Sequence, residues 1–255
     1  MTAGPGALIL VPNTLDFGTA PGPIESLLPL GVLRRAAAIT HWAVEDAKSA
    51  RAFLKRVDAV APLAAPLQAQ QIRELPRPRK GAPGAAIPGA ELDALLAPAR
   101  DGHELGLLSE AGLPAVADPG AVLVAAAHAS ALRVEVLAGA SSITLALAAS
   151  GLNGQRFAFE GYLPQEADAR ARRVRELEAR SRRETQTQVA IETPYRNAAL
   201  RTALVDILQP ATRLAIACGL TLPGGGCRTD TIDGWRRRPG EMPPGLPAIF
   251  MWLAG

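Results

Sequence analysis

Short apolar runs alternate with longer amphipathic segments along most of the chain. The first half predicts strands at residues 8–11, 36–43, 57–63, 105–108 and 134–137. The second half predicts strands at 157–163, 188–192, 213–218 and 248–253, and a strand or a turn at 229–235. Helical patterns occupy 47–57, 90–97, 121–131, 141–150, 167–183 and 196–208. Strands separated by helices predict an α/β fold with parallel or mixed sheets.

The pattern of predicted strands and helices changes near residue 138, where a predicted strand ends in Gly139. We therefore predict an N-terminal α/β domain at residues 1–138 and a C-terminal α/β domain at residues 139–255. Residues 76–89 are rich in Pro and Gly, which predicts an exposed loop inside the first domain.

Composition limits the class of protein. The chain has 255 residues, of which 48% are hydrophobic and 20% charged, values typical of soluble globular proteins. No apolar stretch approaches the roughly 20 residues that span a bilayer, and residues 1–11 lack the pattern of a signal peptide. We therefore expect a cytoplasmic protein without a membrane partner.

The cysteines and histidines do not suggest a metal site. Cys218 and Cys227 lack the spacing of metal ligands, and His41, His103 and His128 are scattered along the chain. We expect no bound metal.

Residues 107–120 carry the strongest functional signal. An apolar run enters a segment of small residues in which Gly112 and Gly120 allow a ligand to approach the backbone. Ser109, Glu110 and Asp118 can orient that ligand, and small molecules commonly bind at the carboxyl ends of strands in α/β proteins. The alternative for Asp118 is a structural one, at the start of the following helix.

The segment 109–120, Ser-Glu-Ala-Gly-Leu-Pro-Ala-Val-Ala-Asp-Pro-Gly, resembles the Ser-Asp-Ala-Gly-Thr-Pro-x-x-x-Asp-Pro-Gly signature of the tetrapyrrole methylase superfamily. Further segments in the expected order are similar to the ribosomal RNA small-subunit cytidine 2′-O-methyltransferase branch of that family. They are residues 44–47, 137–142, 149–164 and 191–196. Most of residues 7–253 takes part in the resemblance.

This resemblance implies two α/β domains with S-adenosylmethionine in the cleft between them, and a homodimer. It implies RNA as the methyl acceptor, in the form of rRNA or the small ribosomal subunit, and methylation of a ribose 2′-oxygen. No catalytic residue is assigned. The residues expected to bind the cofactor are Pro12, Ser109, Glu110, Ala111, Gly112, Val116, Asp118, Ser141, Ser142 and Glu192.

The chain departs from the family pattern in two places. Residues 11–18 retain little of the family's first loop, and residues 217–226 have lost the charged residues of the rRNA branch. We also expect this divergent chain to lack the extra C-terminal segment of that branch. Two alternatives therefore stay open: methylation of a small, tetrapyrrole-like molecule, and a divergent protein that binds the cofactor without catalysis.

Several residues have structural alternatives. Ser141 and Ser142 can act as helix N-caps, Glu45 and Asp46 suit a helix start without any functional role, and Glu192 can face either solvent or the cleft. Trp235 and residues 236–238 are interpreted as a solvated turn. The arginines of helix 167–183 suit RNA phosphates or a plain solvated face, and the sequence shows no aromatic stacking platform beside them.

Overall fold

The chain folds into two α/β units, Met1–Ala140 and Ser141–Gly255. The computed structural model describes residues 6–16, 22–76, 87–241, 243 and 245–255. No helix in these ranges is long and apolar enough to cross a membrane.

The first unit is built on a five-stranded parallel sheet. In chain order its elements are β1 (Ala7–Leu10), α1 (Leu30–Ala38), β2 (His41–Val44), α2 (Ala47–Asp58), β3 (Gln71–Glu74), α3 (Gly89–Arg100), β4 (Glu104–Leu108), α4 (Ala121–Ala129) and β5 (Arg133–Val136). The strand order is β3-β2-β4-β1-β5. Alternate residues of β1 face opposite cores: Ile9 packs with α1 and α2, and Leu8 packs with α3 and α4. A sheet covered on both faces explains why its central strands are apolar throughout.

Two predicted strands of this unit are wrong in extent or place. Residues 36–38 belong to α1, and the strand begins only at His41. Residues 57–63 are not a strand: Val57 and Asp58 end α2, and the third strand is β3. Its sequence, Gln-Ile-Arg-Glu, is polar because β3 is an edge strand with mostly exposed side chains. Residues 77–86 of the predicted loop lie outside the described residues.

The second unit is built on a mixed five-stranded sheet. Its elements are α5 (Ser142–Ser150), β6 (Phe157–Tyr162), α6 (Ala167–Glu184), β7 (Thr187–Glu192), α7 (Asn197–Ile207), β8 (Arg213–Cys218), β9 (Gly226–Thr231), α8 (Ile232–Arg237) and β10 (Ala248–Leu253). The strand order is β6-β7-β10-β8-β9, and only the β6–β7 pair is parallel.

The two faces of this second sheet carry different helices. Val189, Ala215 and Met251 pack with α5 on one face. On the other face, Ala190 and Phe250 pack with α6, α7 and α8. We refer to these below as the α5 face and the α6 face.

A β-bulge in edge strand β6 interrupts its alternation. The register with β7 shifts between Phe159 and Gly161, so Glu160 is an extra residue. The Glu160 carboxylate accepts hydrogen bonds from Arg173 at 2.7 Å and Arg180 at 2.9 Å, both on α6. The bulge thus supplies a carboxylate that holds α6 against the sheet.

Residues 229–235 form the end of β9 and most of α8, and Trp235 is not in a solvated turn. Its side chain is buried in the α6-face core, and its Nε1 donates to the Leu214 carbonyl oxygen at 2.8 Å. The Arg228 guanidinium carbon lies 3.9 Å from the centroid of its ring. The interpretation failed because the run of arginines after Trp235 suggested solvent, whereas the indole points inward.

Candidate functional site

The candidate site in the first unit lies where β1 and β4 end, and one buried amide joins their two loops. Asn13 Nδ2 donates to the carbonyl oxygens of Ser109 at 3.0 Å and Glu110 at 2.9 Å. The backbones also pair: Asn13 N donates to Gly112 O at 2.8 Å, and Gly112 N donates to Thr14 O at 3.2 Å. Residues 11–16 and 109–112 therefore form one rigid structure.

Residues 109–120 adopt a backbone that costs energy to maintain. Gly112 and Gly120 have φ of 68° and 124°, and Ala115 and Ala117 have φ of 67° and 65°. The left-handed region costs about 1–2 kcal/mol for a residue with a Cβ atom. Such strain concentrates at ligand sites, where the surrounding structure enforces a particular shape.

A close approach to the backbone occurs beside Pro12. A Cβ atom on Gly139 would lie only 2.2 Å from Pro12 Cβ, so glycine is required there. Leu137 N donates to Leu10 O at 3.0 Å, which continues the β1–β5 pairing past the strand ends. The segment 137–139 thus forms a third wall beside the two loops.

Three carboxylates gather at this edge of the sheet. Glu45 Oε2 accepts a hydrogen bond from the backbone N–H of Glu110 at 3.0 Å. Burial, followed by the charges of Glu45 and Glu110, raises the pKa of Asp118 to about 6, although a hydrogen bond with Ser109 opposes this. The local potential is therefore negative, which favours a positively charged ligand.

Seven predicted cofactor residues lie together at this edge, in the first unit: Pro12, Ser109, Glu110, Ala111, Gly112, Val116 and Asp118. Glu110 and Val116 are exposed, and Asp118 is half-buried. Ser109 is buried and its Oγ donates to Ala111 O at 3.1 Å, so it shapes the loop. The N-cap of α4 is Gly120, so the capping alternative does not describe Asp118. Asp46, in contrast, does cap α2 by accepting from Ser49 N at 2.7 Å.

Ser141, Ser142 and Glu192 belong to the second unit. Ser141 is the N-cap residue of α5 but its side chain makes no capping hydrogen bond. Glu192 faces neither solvent nor an open surface: it is buried and forms an ion pair with Arg196 at 2.7 Å. It shares the α6 face with Ala190, whereas the helix that begins at Ser142 packs on the α5 face. Within this unit the serines and Glu192 are therefore separated by the sheet.

Some site residues were missed by sequence reasoning. Asn13 is one, and the usable signal is a polar residue three positions after the end of the buried strand β1. Arg56 Nη1 donates to Thr14 Oγ1 at 3.0 Å and to Asp16 Oδ2 at 2.8 Å, which anchors the first loop on α2. No local spacing connects residues that lie 40 positions apart.

The two-unit α/β fold is that of known tetrapyrrole methyltransferases. The uroporphyrin-III C-methyltransferase of Thermus thermophilus complexed with S-adenyl homocysteine superposes with a TM-score of 0.52 and 18% identity, covering 97% of each chain. The methyltransferase CobJ superposes with a TM-score of 0.56 and 14% identity, covering 98% of this chain and 100% of that chain. The predicted fold class is confirmed.

The family model for Tetrapyrrole (Corrin/Porphyrin) Methylases matches residues 32–232. The chain therefore belongs to the tetrapyrrole methylase family, which is a class of S-adenosylmethionine-dependent methyltransferases, and the resemblance is confirmed.

Curated relatives carry the name Ribosomal RNA small subunit methyltransferase I. The protein of Xylella fastidiosa is 38% identical over 120 residues, which are 47% of this chain and 42% of that protein. The protein of Mycobacterium tuberculosis is 38% identical over 135 residues, which are 53% of this chain and 46% of that protein. The match thus spans less than half the length of these two relatives.

Proposed function

We propose that this protein transfers a methyl group from S-adenosylmethionine to a ribose 2′-oxygen of small-subunit rRNA, and that it acts as a homodimer in the cytoplasm. The observation that carries the proposal is the strained loop 109–120, clamped by Asn13 and bordered by carboxylates. The names of the curated relatives support rRNA as the acceptor.

The first-unit residues fit the cofactor chemically. S-adenosylmethionine carries a positively charged sulfonium and an ammonium group, and the negative potential around Glu45, Glu110 and Asp118 suits both. The loop is partly exposed at Ala111 and exposed at Val116 and Ala117, where its backbone offers polar groups to the adenosine and amino-acid parts of the cofactor. The backbone N–H and C=O of the buried Gly112 pair with the first loop instead. We propose that Pro12, Val116 and the five other predicted residues of the first unit hold the cofactor here, and that Ser141 and Ser142 contribute from the second unit. For the buried Glu192 we propose a positioning role at the end of β7 in place of a direct contact.

When bound, the cofactor supplies an electrophilic methyl group for displacement by an acceptor oxygen. The work of the protein is then to align the acceptor and exclude competing nucleophiles. The clamp between residues 11–16 and 109–112 provides the rigidity that alignment requires. Glu192, locked by Arg196 and by the backbone N–H of Thr193 at 2.8 Å, fixes the end of β7 in the second unit.

The helix α6 supports an RNA acceptor by its charge. It carries seven arginines and four acidic residues. Arg173 and Arg180 are occupied by Glu160, whereas Arg172, Arg175 and Arg182 are exposed. Exposed arginines on one helix are suited to neutralise RNA phosphates.

Three measurements test this proposal. Isothermal titration with S-adenosylmethionine should give a saturable binding isotherm, and an absence of both heat and thermal stabilisation at millimolar ligand would contradict cofactor binding. Radiolabelled methyl transfer should occur to small ribosomal subunits from a strain without the endogenous activity, with large subunits as the control. Labelling of a tetrapyrrole substrate instead of the subunits would replace the rRNA proposal with the small-molecule alternative. Sedimentation equilibrium should give the mass of two chains.

A further inference from the structure

The two tyrosines of this chain lie at the same edge of the second sheet. Tyr162 is the last residue of β6 and pairs with Ile191 of β7, and Tyr195 follows the end of β7 by three residues. The two strands are parallel neighbours, about 4.8 Å apart, so their carboxyl ends are adjacent. We call Tyr162 and Tyr195 the tyrosine edge.

Both rings are unusually accessible. Tyr195 is 83% exposed and Tyr162 is 59% exposed. A large aromatic side chain normally contributes to folding by burial. Here the folded unit leaves most of that surface in water, so burial within this chain does not account for either ring.

The backbone turn that carries Tyr195 is held in place by its neighbours. The residue lies in the short 3-10 turn Pro194–Arg196, between two anchored neighbours. Arg196 pairs with the buried Glu192, and the buried Asn197 donates from Nδ2 to Leu246 O at 2.8 Å. A ring displayed on a fixed turn loses little conformational freedom when it binds a flat partner.

Two arginines lie near the tyrosine edge, in the segment that follows Tyr162. Arg170 Nη1 donates to Gln165 O at 2.8 Å, which holds its guanidinium against the connection that follows Tyr162. Arg172 lies two positions further along α6 and is exposed. The acidic Glu166 and Asp168 lie in the same segment and equal these two arginines in number. Backbone hydrogen bonds, followed by the charges of Arg172 and Arg170, lower the pKa of Glu166, so its carboxylate is charged beside them.

Exposed aromatic rings flanked by arginines match single-stranded RNA, whose bases stack on aromatic faces while its phosphates meet cations. Tyrosine and arginine are also common in protein–protein interfaces, but a stable interface buries about 800 Å² on each partner. Two tyrosine rings bury about 150–250 Å² each, which suits the stacking of single bases better. We propose that Tyr162 and Tyr195 are a stacking platform for two bases of a single-stranded RNA segment that carries the methylated nucleotide. This inference rests on the proposed RNA acceptor.

Direct binding provides the test. Fluorescence anisotropy would measure the affinity of the full-length protein for a labelled single-stranded RNA of about 12 nucleotides, within the range of known single-strand sites. Tyr195→Ala and Tyr162→Ala should each weaken binding about 5- to 100-fold, which is the usual effect of losing one stacked base. Tyr195→Phe keeps the ring and should stay within about 2-fold of wild type.

Matched variants separate stacking from charge and from folding. Phe157→Ala removes another exposed aromatic ring, at the opposite end of β6, and should leave RNA affinity unchanged. Arg172→Gln should lower the slope of log affinity against log salt by about 1, whereas the tyrosine variants should leave that slope unchanged. Unchanged melting temperatures would show that the variants fold normally.

Several outcomes would contradict the stacking platform. Wild-type affinity in both alanine variants, equal losses in Tyr195→Ala and Tyr195→Phe, or no RNA binding by the wild-type protein would each contradict stacking. A loss of dimer mass in the tyrosine variants would assign the edge to a second copy of the chain. The proposed reaction fails separately: tyrosine-dependent RNA binding without methyl transfer to subunits would keep the platform and remove the rRNA reaction. Methyl transfer that is unchanged in both alanine variants would keep the rRNA reaction and remove the platform.

Discussion

Replacing Asp118 by Asn should make the first unit more stable at neutral pH. In the folded state burial and neighbouring carboxylates raise the pKa of Asp118 from 3.8 to about 6. The folded protein therefore binds this proton more tightly than the unfolded chain does, and ionisation opposes folding. At ~1.4 kcal/mol per pKa unit the penalty is at most ~3 kcal/mol. Because Asp118 is only half-buried, solvent screening reduces it to about 1–2 kcal/mol.

The pH dependence has a definite sign. Above pH 6 the wild-type carboxylate carries its full penalty, and below pH 4 the group is protonated in both states and the penalty disappears. Urea denaturation of Asp118→Asn should thus show a gain of about 1–2 kcal/mol in the free energy of unfolding at pH 7.5. This gain should shrink as the pH falls from 6 to 4. Asp206→Asn, an exposed carboxylate on α7, is the control and should change stability by less than about 0.5 kcal/mol.

The same variant should bind the proposed cofactor less tightly. A unit charge 4 Å from a cation contributes at most ~4 kcal/mol at an effective dielectric of ~20, so loss of one of three carboxylates should weaken binding about tenfold. Titration calorimetry at pH 7.5 measures this change. A variant that is less stable than wild type at pH 7.5, or a stability difference that does not vary with pH, would refute the electrostatic reasoning.

Three further substitutions test other parts of the structure. Gly112→Val places a branched side chain at φ 68°, with its Cβ 3.1 Å from Leu15 Cδ2, so calorimetry should show lost cofactor affinity and urea denaturation a loss of about 1–3 kcal/mol; unchanged cofactor affinity in this variant would place the pocket elsewhere. Asn13→Asp removes both donors to Ser109 and Glu110, and hydrogen exchange in residues 109–112 should accelerate with a loss of about 2–4 kcal/mol; unchanged exchange would dismiss the clamp. Trp235→Ala should cost about 3–5 kcal/mol in urea denaturation, and a loss below 1 kcal/mol would show that the indole is not in the core.

Sequence reasoning located the central strands of both sheets and, to within one residue, the edge strands β5 and β6. Residues 8–11 and 105–108 are apolar runs, and a parallel sheet covered by helices requires that pattern. The pattern misleads at the other edge of the first sheet. The edge strand β3 is polar and was not predicted, whereas the apolar residues 57–63 only end a helix and lead into a turn.

The candidate site was likewise predicted only in part. The loop 109–120 could be predicted because its glycines and polar residues follow a buried strand directly. Its clamp could not, because Asn13 lies 96 positions from Ser109 and their contact depends on β1 pairing with β4. The tyrosine edge was missed for the same reason: Tyr162 and Tyr195 become neighbours only once β6 pairs with β7.

The bulge at Glu160 lets one edge strand serve both faces of the sheet. Because of the extra residue, Tyr162 pairs with Ile191 and joins Phe157 and Phe159 on the α5 face. Deletion of Glu160 alone would restore simple alternation and leave Gly161 opposite Ala190 and Tyr162 opposite Ile191, so the tyrosine ring would stay on the α5 face. The two arginines held by Glu160 would lose their partner. The extra residue thus directs a carboxylate toward α6 without moving the aromatic side chains of the opposite face.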